Sequence, residues 1–325
     1  MNRPAEPLLT AQGLVKEFPV RGGVLGRSLG KIQAVRQVDL QIYPGETLGL
    51  VGESGSGKST LARLLLQLIP YEAGEVWFQG TRLTGLSFGE MIQHRRAMQM
   101  IFQDPADSLN SRMTLGQILA EPLEIQGRLG QAAREEKIRS LLPLVGLGPE
   151  ILHRYPHEFS GGQRQRIGIA RALTLDPKLI LADEPVSSLD VSIQAQILNL
   201  LKDLQQKLGL SFLFIAHDIH VIFFISHRMM VMYLGEVVEA GSKDQLRQGA
   251  KHPYTQALLA AVPKLDPAQR HHFSEIQGEI PSLLDPPGGC RFHPRCPKAE
   301  ERCRMEPPLL RELAPGHKVA CHLAN

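Results

Sequence analysis

The sequence has no long apolar runs, few aromatic residues and no large excess of charge of one sign. Apolar stretches such as Leu210 to Ala216 and Val221 to Ile225 fall short of the roughly 20 residues that span a bilayer. Aromatic residues make up only 5% of the chain. A formal net charge of +3 is spread along 325 residues, so no concentrated basic patch is evident. We therefore expect no membrane span and no nucleic-acid partner.

Cysteine is absent from the first 289 residues, and a secretory signal is absent from the amino terminus. Met1 to Ala11 contains one arginine and no apolar core followed by small residues. This pattern predicts a cytosolic protein. In a reducing compartment, cysteines more often bind metal than form structural disulfides. The four cysteines after residue 289 are therefore candidate metal ligands.

The residues that are present predict an α/β fold. Hydrophobic residues make up 43% of the chain and charged residues 21%, as in ordinary globular proteins. Strand-like and helical runs alternate, which is typical of a parallel sheet covered by helices. The predicted strands are Thr47 to Val51, Lys178 to Ala182 and Ser211 to Ala216, and the predicted helices around them are Lys58 to Leu68 and Ser192 to Leu208.

The pattern changes at two places and predicts two domains. Between about residues 86 and 160 the runs are mostly helical, with helices expected at Thr114 to Ile125 and Ala132 to Val145. After His252 the sequence becomes rich in proline and then in cysteine. The length also exceeds the usual size of a single domain. We expect a large domain from residue 1 to 263 with a helical insert at about 86 to 160, followed by a small loop-rich domain from 264 to 325.

A glycine-rich segment follows the first predicted strand and opens a helix. Its spacing is G-x-x-x-x-G-K-[ST], in which converging backbone N–H groups and a helix N-terminus bind phosphate. Lys58 supplies a full positive charge, and the Ser59 hydroxyl is a ligand for Mg²⁺. The predicted ATP-binding residues are Gly52, Glu53, Ser54, Gly55, Ser56, Gly57, Lys58, Ser59 and Thr60.

Two adjacent carboxylates end a second buried strand. Asp183 and Glu184 follow Lys178 to Ala182, and unpaired carboxylates at such a place would cost several kcal/mol of desolvation. A cation must therefore lie nearby. The Mg²⁺ of a nucleoside triphosphate meets this need, with Asp183 as its ligand and Glu184 placed to polarise an attacking water.

A third motif comprises Phe159-Ser160-Gly161-Gly162-Gln163, followed by Arg164-Gln165-Arg166. This run resembles the signature of ABC ATPases. A hydroxyl and bare backbone at a helix start form a second anion site, made of Ser160, Gly161, Gly162 and Gln163. The resemblance implies an ABC-ATPase core of the P-loop NTPase class with a helical subdomain. It also implies a head-to-tail dimer in which the signature of one subunit closes on the γ-phosphate held by the other.

The resemblance assigns roles to four further positions. Gln103 matches the residue that senses Mg²⁺ and contacts membrane subunits, and Asp190, in Ser188-Leu189-Asp190, belongs to the loop that couples the paired sites. His217 matches the switch histidine that contacts the γ-phosphate. Phe18 lies where the family places an adenine-stacking ring, although a core strand residue is the alternative. Glu184, His217, Lys58 and Gln103 are thus the expected catalytic residues.

Two stretches resemble the oligopeptide and dipeptide permease branch of the family. One is Ile101-Phe102-Gln103-Asp104-Pro105 with Ser108-Leu109-Asn110, and the other runs from His252 to Leu259. This resemblance implies an ATP-hydrolysing subunit of an importer for di- or oligopeptides. The same branch handles nickel, glutathione and other small solutes, and a soluble ABC ATPase without a transporter is a further alternative.

The four cysteines are separated by five, six and seventeen residues, which is unlike the close pairs of zinc ribbons. Resemblance to the permease branch implies a [4Fe–4S] cluster held by Cys290, Cys296, Cys303 and Cys321. A zinc site that uses His293, His317 or His322 is an alternative, and unliganded thiols are another.

The resemblance also implies the protein's surroundings. The expected partners are a second ABC ATPase subunit, either identical or paralogous, two membrane permease subunits and, indirectly, an extracytoplasmic substrate-binding protein. The protein would then lie peripherally on the cytoplasmic face of the inner membrane. ATP and Mg²⁺ are the expected cofactors together with the cluster.

Overall fold

The computed structural model describes residues 6–22, 27–103, 108–127, 129–260 and 278–325. The chain forms two compact units. The first comprises Met1–Pro7, Ile42–Glu46 and Gly85–Ile215, and the second comprises Leu8–Gln41, Thr47–Thr84 and Ala216–Asn325. No helix within the described ranges is both long enough and apolar enough to cross a bilayer.

The strands and helices are numbered in chain order. The strands are β1 Leu9–Gly22, β2 Arg27–Ile42, β3 Thr47–Val51, β4 Ala73–Phe78, β5 Thr81–Arg82, β6 Met98–Ile101, β7 Leu179–Asp183, β8 Ser211–Ala216, β9 Arg228–Tyr233, β10 Glu236–Ser242, β11 Arg311–Ala314 and β12 His317–Val319. The α-helices are α1 Lys58–Leu65, α2 Phe88–Ala97, α3 Leu115–Gln126, α4 Gln131–Leu141, α5 Gly161–Leu173, α6 Val191–Leu208, α7 Ile219–Ile225, α8 Lys243–Gly249, α9 Pro253–Ala260 and α10 Glu301–Met305. Short 3₁₀ helices occupy Leu142–Val145, Pro149–His153, Pro156–Glu158 and His293–Arg295.

In the first unit, three parallel strands lie in the order β8-β7-β6. Met98 pairs with Leu179, and Ala182 pairs with Phe214, so the carboxyl ends of β6 and β7 meet at one edge. Every residue of β7 is buried, as is typical of a parallel strand covered on both faces. The prediction of buried strands at 178–182 and 211–216 is confirmed to within one residue.

The segment predicted as a helical insert is not helical throughout, because β6 lies inside it and pairs with β7. The two helices expected there are present as α3 and α4. Helix α4 ends at Leu141 and continues as a 3₁₀ turn over Leu142–Val145 rather than as one helix to Val145. Pro143 lies in that turn and has no N–H to donate to an α-helical hydrogen bond.

In the second unit, β3 runs parallel to β9, and the strand order is β11-β12-β10-β9-β3. The carboxyl-terminal strand β12 pairs antiparallel with β10, Val319 opposite Glu239. A separate antiparallel sheet has the order β2-β1-β4-β5. The tail therefore extends the sheet of this unit. The predicted boundary at 263/264 lies outside the described residues and stays a prediction.

Candidate nucleotide site

The phosphate loop, residues 52–59, joins β3 to α1 in the second unit. Its backbone needs glycine at two places. Gly57 has a φ of +100°, and a Cβ there would lie 2.1 Å from the Ala34 carbonyl oxygen. A Cβ on Gly52 would lie 2.1 Å from the Met232 carbonyl oxygen. A side chain at either position would collide with the backbone packed against the loop, so both positions require glycine.

Lys58 is buried at the start of α1, and its ammonium group is held by the loop itself. Nζ donates to the carbonyl oxygens of Gly52 and Glu53 at 2.7 and 2.9 Å, and to Ser56 Oγ at 3.3 Å. The loop thus curls around a full positive charge at the N-terminus of a helix, where aligned amides favour an anion. Ser59 and Thr60 follow in the first turn of α1, and Ser54 and Gly55 are exposed at the loop's outer side.

In the first unit, the structure brings Gln103 and Glu184 together. Asp183 is the last residue of β7 and is buried, and Glu184 follows it with a φ of +46°. The Glu184 N–H donates to the Ile215 carbonyl oxygen at 3.0 Å, which holds this left-handed backbone in place. Its carboxylate accepts a hydrogen bond from Gln103 Nε2 at 3.3 Å. A left-handed non-glycine residue is strained, and such strain is concentrated at functional positions.

The signature segment forms a capping box at the start of α5. Ser160 Oγ accepts a hydrogen bond from the Gln163 N–H at 3.3 Å, and the Ser160 N–H donates to Gln163 Oε1 at 3.0 Å. The Ser160 hydroxyl can still donate its own proton, so it can cap the helix and bind an anion at once. Gly162 is packed tightly, because a Cβ there would lie 2.6 Å from Ile193 Cγ2 of α6.

The side chains of Asp190, His217 and Phe18 are exposed. Asp190 is the N-cap residue of α6, and a Cβ on Gly161 would lie 3.4 Å from Leu189, so the coupling loop adjoins the signature. His217 directly follows β8 and is exposed. Phe18 lies on β1 with 38% of its surface exposed, which does not support the core-residue alternative. The Lys16 ammonium lies 5.1 Å from the centre of its ring.

Burial raises the pKa of three of the four cysteines. Burial, and then the neighbouring thiols, raise the pKa of Cys290 to about 11, and burial followed by weaker charge effects raises the pKa of Cys296. Burial also raises the pKa of Cys321. None of the four forms a disulfide. Nevertheless, no group of three or more His, Cys, Asp or Glu side chains in the described ranges is arranged to hold a metal ion, so the structure does not support the iron–sulfur expectation.

The three histidines considered as zinc ligands each have another partner. His317 Nε2 lies 2.7 Å from Glu239 Oε1, His293 Nδ1 lies 3.0 Å from the Cys290 carbonyl oxygen, and His322 Nε2 lies 2.9 Å from the Glu306 carbonyl oxygen. The geometry therefore does not favour the zinc alternative.

Sequence reasoning missed two residues that hold the phosphate loop from outside. The Glu53 N–H donates to Tyr254 Oη at 2.9 Å. The Glu53 carboxylate accepts two hydrogen bonds from Arg295, Nη1 to Oε2 at 2.6 Å and Nη2 to Oε1 at 3.0 Å. Arg295 is 242 residues from Glu53 in the sequence, so no local pattern could have indicated the contact.

Two family models match this chain. The model described as "ABC transporter" matches residues 35–187, which includes the phosphate loop and the signature. The model described as "Oligopeptide/dipeptide transporter, C-terminal region" matches residues 238–303 and includes Tyr254, Arg295 and three of the four cysteines.

Relatives match over nearly the whole length. The oligopeptide transport ATP-binding protein AppF of Bacillus subtilis is 48% identical, covering 98% of each chain. The oligopeptide transport ATP-binding protein OppF of Haemophilus influenzae is 51% identical, covering 89% of this chain and 88% of its own. Among solved structures, the dimeric post-hydrolysis state of the ATP-binding cassette MJ0796, bound to ADP and Pi, is 29% identical with a TM-score of 0.64. It covers 72% of this chain and 98% of its own.

Proposed function

Because this chain belongs to the family of ABC-transporter ATP-binding proteins, we propose that it hydrolyses ATP to energise an importer of di- or oligopeptides. One observation carries nucleotide binding: the buried Lys58 ammonium, wrapped by the Gly52 and Glu53 carbonyl groups at the start of α1. The peptide cargo is supported by the match of residues 238–303 and by the relatives that are named as oligopeptide transport proteins.

Each predicted site residue has a role in this proposal. Lys58 binds the β- and γ-phosphates, and Phe18 stacks on adenine. The residues that would hold Mg²⁺ are Ser59, Asp183 and Gln103, whose hydroxyl, carboxylate and amide oxygens are the kinds of donor that this ion prefers. The ion neutralises phosphate charge when it is bound.

Glu184 accepts a proton from the attacking water, because its carboxylate is held by Gln103 Nε2 and by the fixed backbone at the end of β7. His217 contacts the γ-phosphate. Ser160, Gly161, Gly162 and Gln163 bind the triphosphate held by a second cassette, and Asp190 couples the two sites. Ser160 suits this role because its hydroxyl proton is still available for donation.

The partners follow from the same family. We propose a dimer with an identical or paralogous cassette and two permease subunits docked near Gln103. The complex would place this chain on the cytoplasmic face of the cell membrane, and a binding protein on the other side would deliver the peptide.

Nucleotide binding and peptide import are tested together with Lys58→Ala. We expect the purified variant to lose binding of a fluorescent ATP analogue, and we expect a strain carrying it not to grow on an oligopeptide as the only source of a required amino acid. Lys207→Ala, on an exposed part of α6, is the matched control and should keep both properties. Binding and growth that survive Lys58→Ala would contradict the proposal. Loss of binding with normal growth would reject peptide import alone.

We also propose that the four thiols of the tail gather a [4Fe–4S] cluster. The proposal rests on ligand chemistry and on the family resemblance, since four cysteines are a suitable ligand set for such a cluster. The test is iron, zinc and acid-labile sulfide analysis of protein purified without oxygen. Equal amounts of iron and sulfide, lost in Cys303→Ser, are expected. Protein that contains zinc or no metal would reject the cluster.

A further inference from the structure

Glu53 is hydrogen-bonded at its backbone and at its side chain by residues outside the phosphate loop. Its carbonyl oxygen accepts a hydrogen bond from Lys58 Nζ, and the Ser56 N–H donates to the same oxygen at 3.2 Å. Tyr254 holds its N–H and Arg295 holds its carboxylate. A shift of Glu53 would therefore change the position of the carbonyl group that orients the phosphate-binding lysine.

The two residues that hold Glu53, Tyr254 and Arg295, are themselves held by contacts with buried aromatic rings. Tyr254 packs against Tyr233 with ring centres 4.7 Å apart and against Phe292 at 5.4 Å. All three rings are fully or almost fully buried. Arg295 Nη1 also lies 3.4 Å from Tyr233 Oη. Buried aromatic packing of this kind leaves few alternative positions for the hydroxyl and the guanidinium.

The ion pair is shielded and has two-point geometry. The Arg295 side chain is 5% exposed, and the Glu53 side chain is 24% exposed. A guanidinium that donates two parallel hydrogen bonds to one carboxylate is among the stronger and more directional ion pairs. Lysine could not reproduce this geometry, because its ammonium is a single point charge.

The pair also has an electrostatic consequence for an anionic ligand. Glu53 is a negative charge in the loop that must receive a triphosphate, and like charges repel. Arg295 cancels this charge. If Arg295 were lost alone, an uncompensated carboxylate would remain beside the phosphates, whereas the loss of both residues would leave neither charge.

From these contacts we infer that Arg295 and Tyr254 are positioning residues for ATP, and that Arg295 links the carboxyl-terminal tail to nucleotide affinity through Glu53. The inference rests on the proposed binding of ATP at the phosphate loop. Neither side chain needs to touch the nucleotide. The tail that carries the cysteines thereby sets how tightly the loop binds its ligand.

The test is the affinity of the full-length protein for a fluorescent ATP analogue in four variants. Arg295→Gln should weaken binding about tenfold, and the double variant Glu53→Gln/Arg295→Gln should return to within about threefold of the wild type. The affinity of Arg295→Lys should fall between these values, since lysine keeps the positive charge but cannot donate two parallel hydrogen bonds to the Glu53 carboxylate. Tyr254→Phe keeps the ring, removes the acceptor for the Glu53 N–H and should weaken binding about threefold.

Kinetics and salt separate positioning from general damage. In steady-state hydrolysis, Arg295→Gln should raise KM for ATP and leave kcat near the wild-type value. The reason is that the loop binds ATP in the ground state and in the transition state about equally well. The loss of affinity should shrink as salt is added, since the uncompensated carboxylate is then screened. Arg302→Gln is the matched control, because Arg302 lies in the same tail in an exposed ion pair with Glu306.

The outcomes are distinct. Wild-type affinity in Arg295→Gln and Tyr254→Phe would overturn the inference, as would a double variant that binds as weakly as Arg295→Gln at every salt concentration. If Arg295→Gln does not fold, the inference is tested with the double variant and Tyr254→Phe. Wild-type affinity in Tyr254→Phe would then overturn the inference. Failure of both the wild type and Arg302→Gln to bind the analogue would instead contradict the proposed function.

Discussion

At the scale of single residues, the space around each glycine decides which loop positions tolerate a side chain. Gly57 and Gly55 both have positive φ values, +100° and +77°. A Cβ on Gly57 would meet the Ala34 carbonyl oxygen at 2.1 Å, whereas a Cβ on Gly55 would meet no atom within 4 Å among the described residues. The two positions therefore share backbone strain and differ in steric conflict.

We expect Gly57→Ala to lower the free energy of unfolding by about 2 kcal/mol more than Gly55→Ala. Strain from the left-handed backbone should cost each variant about 1 kcal/mol, and the backbone clash adds the difference in Gly57→Ala. Urea unfolding of both variants without nucleotide measures this. Gly55→Ala is the internal control, and equal losses would contradict the packing explanation.

The residue scale also shows what the sequence could predict of the site. Lys58, Glu184 and Ser160 were predictable because each lies in a short motif with fixed spacing. Gln103 and Glu184 were each assigned a hydrolytic role, but the hydrogen bond between them was not predicted. Arg295 was not predictable, because its role depends on a carboxylate 242 residues away. Long-range partners of this kind have no local periodicity to reveal them.

At the scale of elements, long apolar strands were predicted well and short or terminated elements less well. Strand β3 has the predicted bounds, since five buried residues followed by a glycine loop give a clear pattern. Helix α1 ends at Leu65 instead of Leu68, and Gln67 has a φ of +53°, a backbone that cannot continue an α-helix. Strand β6 is only four residues long and exists through its pairing with β7, which the helical pattern around it concealed.

The start of α9 makes the stability of the fold sensitive to acid. His252 precedes Pro253 and is almost completely buried, and its Nδ1 accepts the Tyr254 N–H at 3.1 Å. Burial lowers the pKa of His252 from 6.5 to about 3. The unfolded chain therefore binds a proton more readily than the folded protein does. The stabilising effect of the neutral ring is complete above pH 6.5 and is lost as the pH falls toward 3.

We expect the wild type to lose about 1.4 kcal/mol of stability per pH unit below pH 6.5 through this one group. His252→Asn should remove that slope, because its side-chain oxygen can still accept the Tyr254 N–H but does not titrate in this range. Urea unfolding at pH 7 and pH 5 provides the measurement. His220→Asn, at an exposed histidine, should keep the wild-type slope. The same slope in His252→Asn would show that other groups cause the acid sensitivity.

At the scale of the whole molecule, a dimer joined by shared ATP would have a lifetime that depends on hydrolysis. In the proposed dimer, each ATP is bound by the phosphate loop of one cassette and by the signature segment of the other. ATP then binds the dimer more tightly than it binds single cassettes, and by mass action it stabilises the dimer. Hydrolysis removes the γ-phosphate that joins the two surfaces and so releases them.

Glu184→Gln should therefore separate binding from turnover. The amide keeps the size of the side chain but cannot accept the proton of the attacking water, so phosphate release should fall at least about 100-fold while ATP still binds. With the required second cassette supplied, ATP should convert this variant to a stable dimer, seen as a doubled mass in size-exclusion chromatography with light scattering. Glu136→Gln, at an exposed position of α4, should hydrolyse ATP normally and show no lasting dimer. If Glu184→Gln turned over like this control, Glu184 would not be the base. If it bound ATP but stayed monomeric, the two anion sites would not share a nucleotide.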